Sequence, residues 1–299
     1  MNWTEKFLQT FPQAHIQDDK RAHVEEVIKA MIKDGRSMLH VVADFDFTLS
    51  TYDNNGDPAP STFAVIETDE RVQLPDGTLV RDQANALRSK YILIEHDVHL
   101  PMEEKIPHMV YWWRKAQSLL LLSNLNKSMI RELVYNSKLQ LRKGVQDFIT
   151  DLLQSHTPIL IFSAGLGDVI KIFLEKEIPE FDHNHQSSHI VSNFIQYDTE
   201  GNLVSFSDKL IHSFNKNEHE IHDTPYYRSI LNRPNVILLG DSLGDVGMIG
   251  GMQNLKQTLK IGYLNRSTPT KLEVYQNIFD IVICDDSTFD IPNFILKTI

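Results

Sequence analysis

Two carboxylates spaced two residues apart follow the first strongly apolar stretch of the sequence. Met38 to Ala43 is rich in β-branched and other apolar residues, and Asp44 and Asp46 come directly after it. This pattern predicts a buried strand, and side chains two residues apart on a strand point to the same side. Open α/β sheets place their chemistry beyond the carboxyl ends of central strands. Asp44 and Asp46 are therefore candidate catalytic residues.

A second pair of acids follows another apolar run. Val236 to Leu239 leads into Gly240, Asp241 and, four residues later, Asp245. Carboxylate oxygens suit a hard cation such as Mg2+. Four acids at one sheet edge would repel one another and raise one another's pKa unless a cation neutralised them. With a metal bound, one aspartate could attack phosphorus while its neighbour protonates the leaving oxygen and later activates water.

A serine ends a third apolar run. Ile159 to Phe162 precedes Ser163-Ala164-Gly165, and a helical pattern begins near Asp168. Backbone N–H groups at such a turn, the adjoining helix N-terminus and the serine hydroxyl together form a possible anion site. The alternative is that Ser163 only caps the turn.

The elements around these residues indicate an α/β fold. Apolar residues at helical spacing predict a helix from Asp19 to Asp34 that stops at Gly35. From Gly144 onward strand and helix patterns alternate, which favours a mostly parallel sheet with helices on both faces. Between them, Ser61 to Lys138 has mainly helical patterns. We therefore predict a Rossmann-like catalytic core (residues 36–52 and 140–299) with an inserted helical cap (residues 1–35 and 53–139).

Composition excludes several classes of function. The chain has 299 residues, 41% hydrophobic and 23% charged, and a net charge of -11, which argues against binding to a nucleic acid polymer. It has one cysteine and no apolar segment near the roughly 18 residues that cross a bilayer. We expect a soluble cytoplasmic protein, with a monomer as the default. The groups His183/His185/His189 and His219/His222 lack the spacing and cysteines of a zinc site, so we expect solvated loops.

Several segments together resemble one known family. The segments DFDFTLS, EEKIPHMVYWWRKA, IFSAGLGD, LIHSFNKN and NVILLGDSLGD are similar to those of the cytosolic 5'-nucleotidase III (pyrimidine 5'-nucleotidase) family, within the haloacid dehalogenase superfamily of phosphatases. The likeness runs from about residue 20 to the C-terminus. It implies a haloacid dehalogenase core with a cap and Mg2+ as the cofactor.

The resemblance also implies roles for individual residues. Asp44 would be the nucleophile that forms an aspartyl-phosphate, and Asp46 the general acid and base. Asp44, Asp46 and Asp241 would hold Mg2+, with Asp245 supporting metal-bound water. The implied phosphate contacts are Ser163, Ala164, Gly165 and Lys216, and the implied nucleoside contacts are Glu95, His108 and Trp113.

The implied activity is Mg2+-dependent hydrolysis of nucleoside 5'-monophosphates to nucleoside and phosphate. Pyrimidine nucleotides such as UMP and CMP are the first expected substrates. 7-Methylguanosine 5'-monophosphate is the alternative, because its cationic base would favour aromatic stacking and a nearby acid. Two departures from the family pattern, Tyr111 and a longer stretch from Glu67 to Val80, leave the base preference open. A phosphatase of another small metabolite and transfer of the phosphate to another acceptor also remain alternatives.

Overall fold

The computed structural model describes residues 2–54, 56–95, 97, 99–182, 187–217, 221–222, 224–252 and 254–299. Three of the histidines considered above, His183, His185 and His219, lie outside these residues.

The strands are β1 (Ala14–His15), β2 (Leu39–Ala43), β3 (Asp53–Asn54), β4 (Asp57–Pro58), β5 (Ile159–Leu166), β6 (Ser188–Asn193), β7 (Ile195–Tyr197), β8 (Leu203–Phe206), β9 (Asn235–Gly240), β10 (Gln257–Leu264) and β11 (Ile281–Cys284).

The α-helices are α1 (Trp3–Thr10), α2 (Arg21–Asp34), α3 (Thr62–Glu67), α4 (Val80–Glu95), α5 (Met102–Leu122), α6 (Lys127–Tyr135), α7 (Val145–Gln154), α8 (Gly167–Glu177), α9 (Pro225–Ile230), α10 (Pro269–Ile278) and α11 (Asp290–Thr298).

One seven-stranded sheet organises the core, in the order β1-β11-β10-β9-β2-β5-β6. All neighbours in it are parallel except β1, which pairs antiparallel with β11. The apolar run Leu39–Ala43 is fully buried, as expected for a central strand covered on both faces. β2 lies between β9 and β5, so the three strands that end in candidate residues are adjacent. The predicted α/β fold is confirmed.

The segment inserted between β2 and α7 is mainly helical. It contains the short β3–β4 ribbon and helices α3 to α6, with α4 and α5 packed against each other. A turn lies at Leu74 to Gly77, where the Gly77 N–H donates to the Leu74 carbonyl over 2.9 Å. We call residues 53–139 the cap.

The first 35 residues belong with the core sheet, so their assignment to the cap was wrong. Ala14 and His15 add the edge strand β1, and α2 packs against β10. Glu25 on α2 accepts hydrogen bonds from the backbone N–H groups of Trp3 and Thr4, which fixes the start of α1. The helical pattern of this region was read correctly, but a helix pattern does not say which surface the helix covers.

Candidate functional site

The loop after β2 places both predicted catalytic acids at the carboxyl edge of the sheet. The Asp44 N–H still donates to the Leu239 carbonyl of β9 over 2.9 Å, so Asp44 extends the ladder by one residue. Phe47 then adopts a left-handed conformation with φ 65°, which is unfavourable for a bulky residue. Its N–H donates to Ser50 Oγ over 2.9 Å. A tight turn therefore follows Asp46 directly.

Arg142 holds this turn in place, a role that sequence reasoning missed. Arg142 is 2% exposed, and its guanidinium donates to the carbonyls of Phe47 over 2.6 Å and Thr48 over 2.8 Å. It also donates to the Asp286 carbonyl and to Asn265 Oδ1, and it lies 4.1 Å from the ring centroid of Tyr263. A buried cation that satisfies backbone acceptors in this way fixes the loop carrying both acids.

A lysine and three aspartates form the centre of the site. Lys216 Nζ donates to Asp44 Oδ1 over 2.5 Å and to Asp245 Oδ1 over 2.8 Å. Asp44, Asp245 and Lys216 are 4%, 1% and 6% exposed. Carboxylate oxygens of Asp44, Asp241 and Asp245 all lie within 4.8 Å of one another. Residues from three distant parts of the chain thus meet, as predicted.

Burial and mutual repulsion shift the ionisation of this cluster. Burial raises the pKa of Asp44, against the lowering effect of Lys216. The pKa of Asp241 is raised further, by burial and by the charges of Asp44 and Asp245. Burial alone would lower the pKa of Lys216, but the carboxylates of Asp245 and Asp44 outweigh it and raise that pKa. Lys216 is therefore a cation at neutral pH.

The donor set of this cluster fits a divalent cation. If all three carboxylates are ionised, Lys216 balances one negative charge and two remain. The available donors are oxygen atoms, as Mg2+ prefers. One carboxylate oxygen of Asp245 already accepts two hydrogen bonds: its Oδ2 accepts from the backbone N–H groups of Asp241 over 3.1 Å and Ser242 over 2.9 Å. Asp44 and Asp241 are thus the freer carboxylates.

Asp46 is engaged by the first residue of the cap helix α3. The Thr62 N–H donates to Asp46 Oδ1 over 2.8 Å, and the Thr62 hydroxyl donates to Oδ2 over 2.7 Å. Burial raises the pKa of Asp46 to about 6, although the bonds from Thr62 lower it. Asp46 can therefore hold or release a proton near neutral pH. Thr62 was not identified from the sequence.

The pairing of β5 with β6 is irregular between Phe162 and Leu166. We call this stretch at the end of β5, residues 163–165, the serine loop, and its Ser163 is buried. The Gly165 N–H donates to Ser163 Oγ over 3.0 Å, and the Ala164 carbonyl accepts from Trp113 Nε1 over 2.8 Å. Gly165 has no room for a side chain: a Cβ there would lie 2.1 Å from Thr62 Oγ1 and 2.8 Å from Asp46 Oδ2. The loop and Asp46 are thus packed in direct contact.

Asn193, at the end of β6, ties this loop to two other parts of the site. It is fully buried, and its Nδ2 donates to the carbonyls of Ala164 (2.8 Å), Gly165 (3.2 Å) and Ile211 (2.9 Å). Its Oδ1 accepts from the Ile211 N–H over 3.0 Å and from Gln117 of α5 over 3.3 Å. Asn193 therefore connects the serine loop, the segment leading to Lys216 and the cap.

A cavity of about 410 Å³ opens between the sheet edge and the cap. Its core side is lined by Asp44, Asp46, Ser163, Ala164, Gly165, Lys216, Asp241 and Asp245, which are all of the predicted catalytic, metal and phosphate residues. Its cap side includes Glu95, Trp112 and Trp113. Two of the three predicted nucleoside residues thus line the cavity.

The third predicted nucleoside residue, His108, does not line the cavity. It is exposed on α5, with its ring centroid 6.3 Å from that of Tyr91. Trp112, the neighbour of Trp113, does line the cavity, and so do Glu67 and Arg88, which were not predicted. Glu95 accepts a hydrogen bond from Ser213 Oγ of the core.

Comparison with known proteins assigns a family to the chain. A sequence profile described as pyrimidine 5'-nucleotidase (UMPH-1) matches residues 47–299. A human protein named 7-methylguanosine phosphate-specific 5'-nucleotidase is 36% identical over 290 residues, covering 97% of this chain and 94% of that protein. A Drosophila melanogaster protein of the same name is 32% identical over 290 residues, covering 96% and 88%.

Solved structures agree on the fold. The crystal structure of a cytosolic 5'-nucleotidase IIIB bound to cytidine matches with a TM-score of 0.86 and 31% identity, covering 100% of this chain and 97% of that one. A substrate-bound phosphoserine phosphatase matches with a TM-score of 0.52 and 16% identity, covering 88% and 98%, which reflects a shared fold alone. Across the part of the chain that the structure describes, no helix is both long enough and apolar enough to cross a membrane.

Proposed function

The chain belongs to the pyrimidine 5'-nucleotidase (UMPH-1) family, and on this premise we propose that it hydrolyses nucleoside 5'-monophosphates to nucleoside and phosphate. The observation that carries the proposal is the position of Asp44. This buried carboxylate is paired with Lys216 and opens on a cavity whose opposite wall carries two tryptophans. Such a cavity suits a ligand with a phosphate at one end and a flat base at the other.

Asp44 is the proposed nucleophile. Its carboxylate oxygen would attack phosphorus, the bond from phosphorus to the ribose 5'-oxygen would break, and an aspartyl-phosphate would remain. Lys216 supports this role in two ways. It favours the ionised form of Asp44 at a distance of 2.5 Å, and its charge opposes that of the phosphoryl group.

Asp46 is the proposed general acid and base. It would give its proton to the leaving 5'-oxygen and then take a proton from the water that attacks the aspartyl-phosphate, so that it ends the cycle protonated. Its pKa of about 6 suits both tasks. The two bonds from Thr62 hold the carboxylate in one orientation.

Ser163, Ala164, Gly165 and Lys216 are the proposed phosphate contacts. Because Ser163 Oγ accepts from the Gly165 N–H, its own hydrogen is free to point toward a phosphate oxygen. The structural bonds that Asn193 and Trp113 donate to the Ala164 carbonyl support a preformed loop. Little reorganisation would be needed when phosphate binds.

Mg2+ is the proposed cofactor, held by Asp44, the main-chain carbonyl of Asp46 and Asp241, with Asp245 supporting its water ligands. Bound Mg2+ would neutralise the carboxylates and the negative charge of the phosphoryl group. The oxygen donors of the cluster support this assignment, and so does the negative charge that remains when its three carboxylates are ionised.

Trp113 and Glu95 are the proposed nucleoside contacts, with Trp112 beside them. The family description favours pyrimidine nucleotides such as UMP and CMP. The names of the human and fly relatives favour 7-methylguanosine 5'-monophosphate as the second candidate. We also propose that the enzyme is cytoplasmic, in line with the cytosolic enzyme that shares its fold, and that it is a monomer.

Phosphate release by the purified protein tests the proposal. The substrates are UMP, CMP, 7-methyl-GMP, AMP and ribose 5-phosphate, each with Mg2+ and with EDTA. We expect Mg2+-dependent release from one class of nucleotide, and its loss in Asp44→Asn. Release from ribose 5-phosphate alone would retain the phosphatase chemistry and refute the nucleotidase assignment. Release by Asp44→Asn at the wild-type rate would refute the aspartyl-phosphate.

A further inference from the structure

Glu67 is a cavity-lining acid with no role in the chemistry described above. It is the last residue of α3, the helix whose first residue, Thr62, binds Asp46. Five residues of α-helix span about 7.5 Å, so Glu67 lies at the opposite end of α3 from the residue that binds Asp46. Glu67 therefore lines the cavity from the cap and not from the sheet edge that carries the catalytic acids.

The facing helix presents a matching wall. Ala84, Arg88, Ile92 and Glu95 all line the cavity, and their spacing of three or four residues puts them on one face of α4. Glu95 is at the end nearest the core, where it accepts from Ser213. Arg88 is two turns away and exposed. Glu67 and Arg88 thus belong to the part of the cavity remote from the phosphate site.

The carboxylate of Glu67 is not directly bonded to any of the described residues. It makes no hydrogen bond or salt bridge there, although Arg88 is close enough to lower its pKa. Burial outweighs that effect and raises the pKa of Glu67 to about 7. Polar groups that are largely removed from water are normally paired, because an unpaired one loses its hydration without compensation. A ligand that enters the cavity would supply the missing partner.

We propose that Glu67 recognises the base of the nucleotide by accepting a hydrogen bond from an N–H group on the base edge, with Arg88 beside it at the cavity wall. This rests on the proposed nucleotidase function and deepens it. The amine of cytosine, the ring N–H of uracil and the N–H groups of guanine all offer such a donor. A cationic base such as 7-methylguanine would also compensate the charge of the carboxylate.

Two substitutions separate hydrogen bonding from charge. Glu67→Leu removes the acceptor, whereas Glu67→Gln keeps an acceptor oxygen and removes the charge. Glu70→Gln is the matched control, because Glu70 is exposed on the same part of the cap and pairs with Arg81 at the surface. kcat and KM are measured for CMP, UMP, 7-methyl-GMP and ribose 5-phosphate, which has no base.

We expect Glu67→Leu to lower kcat/KM for the preferred nucleotide by about 10- to 100-fold, as for a lost hydrogen bond to a charged group. Activity on ribose 5-phosphate stays unchanged. In Glu67→Gln, kcat/KM should fall less than in Glu67→Leu for CMP and UMP. For 7-methyl-GMP, kcat/KM should fall as much in Glu67→Gln as in Glu67→Leu. Glu70→Gln behaves as wild type. An equal loss on every substrate, or no loss at all, would overturn the proposal.

Binding of nucleosides without phosphate provides a second readout that does not need turnover. Calorimetric titration with cytidine and 7-methylguanosine should give a Kd about 10-fold or more weaker in Glu67→Leu than in wild type. Unchanged binding in Glu67→Leu overturns the role of Glu67, even if wild type hydrolyses nucleotides. Wild-type activity on ribose 5-phosphate alone would instead refute the nucleotidase function.

Discussion

Gly165→Ala should disable the site through a single methyl group. The added Cβ would lie 2.1 Å from Thr62 Oγ1, 2.8 Å from Asp46 Oδ2 and 3.1 Å from Ser163 Oγ. Thr62 Oγ1 is not free to move, because it donates to Asp46 over 2.7 Å and accepts from the Leu166 N–H over 3.1 Å. The methyl group therefore either displaces the serine loop or breaks both bonds.

The magnitude follows from these contacts. Overpacking typically costs about 1–3 kcal/mol, and losing a hydrogen bond to a charged group costs about 1.5–3 kcal/mol. We expect a total free-energy cost of about 3–5 kcal/mol. Part of this cost lowers the stability of the fold, and part displaces Ser163 and Asp46. If half of it raises the barrier, kcat/KM falls by about 10- to 100-fold.

The assays are thermal unfolding and steady-state phosphate release from the best nucleotide substrate, with Mg2+. A double-mutant cycle with Thr62→Ala tests the contact itself, because that substitution removes the oxygen nearest to the new methyl group. Gly165→Ala/Thr62→Ala should lose at least about 1 kcal/mol less stability than the sum of the single variants. Wild-type stability and kcat/KM in Gly165→Ala, or strict additivity in the cycle, would refute the reasoning.

Three further predictions concern other parts of the site. Thr62→Val removes one hydrogen-bond donor to Asp46, so the pKa of Asp46 should rise from about 6 by about one unit. The alkaline limb of the kcat/KM profile should then move to higher pH. Thr62→Ser keeps the hydroxyl and should leave the profile unchanged. Arg142→Met leaves several buried acceptors unpaired and should lower Tm by about 6–10 °C, with Arg142→Lys in between. Glu67→Leu should raise the free energy of unfolding by about 1–3 kcal/mol at pH 8 and by much less at pH 4.5. The pKa of Glu67 rises from 4.5 to about 7 on folding. The charged carboxylate therefore destabilises the fold only as pH rises through that interval.

Each of these predictions has an outcome that contradicts it. Identical pH profiles for Thr62→Val and Thr62→Ser would mean that the hydroxyl does not set the pKa of Asp46. An unchanged Tm in Arg142→Met would mean that water can replace the guanidinium. A loss of stability in Glu67→Leu at pH 8 would mean that the carboxylate stabilises the cap.

The strand ends of the core could be predicted because local sequence determines them. An apolar run followed by Asp44 or Ser163 specifies both a buried strand and the polar group near its carboxyl end, and parallel pairing then brings those ends to one edge. Strand β5 continues to Leu166, so Ser163 lies within its last residues. Lys216 was different: its segment has no strand or helix pattern, and only the resemblance to a family indicated that it is a phosphate contact. Its bond to Asp44 is seen only in the structure.

The residues that sequence reasoning missed act over long distances through backbone groups. Arg142 bonds the Thr48 carbonyl 94 positions away, and Asn193 bonds the Ala164 carbonyl 29 positions away. Every residue has a backbone carbonyl, so the sequence does not show which carbonyls a side chain will bind. An arginine or asparagine that binds them cannot be distinguished in the sequence from a surface residue. Glu67 was missed for a related reason, since one acid at the end of a short helix is normally solvated.

The three cap helices beside the cavity each contact a different part of the catalytic centre. Through Thr62, α3 binds the proposed acid–base Asp46, and through Trp113, α5 binds the serine loop. Through Glu95, α4 binds Ser213 in the segment that leads to Lys216. These three bonds join the cap to the core, and they act together with the bonds that Arg142 and Asn193 make within the core. The cap therefore does more than line one side of the cavity: it also contacts the proposed acid–base residue, the serine loop and the segment that leads to Lys216.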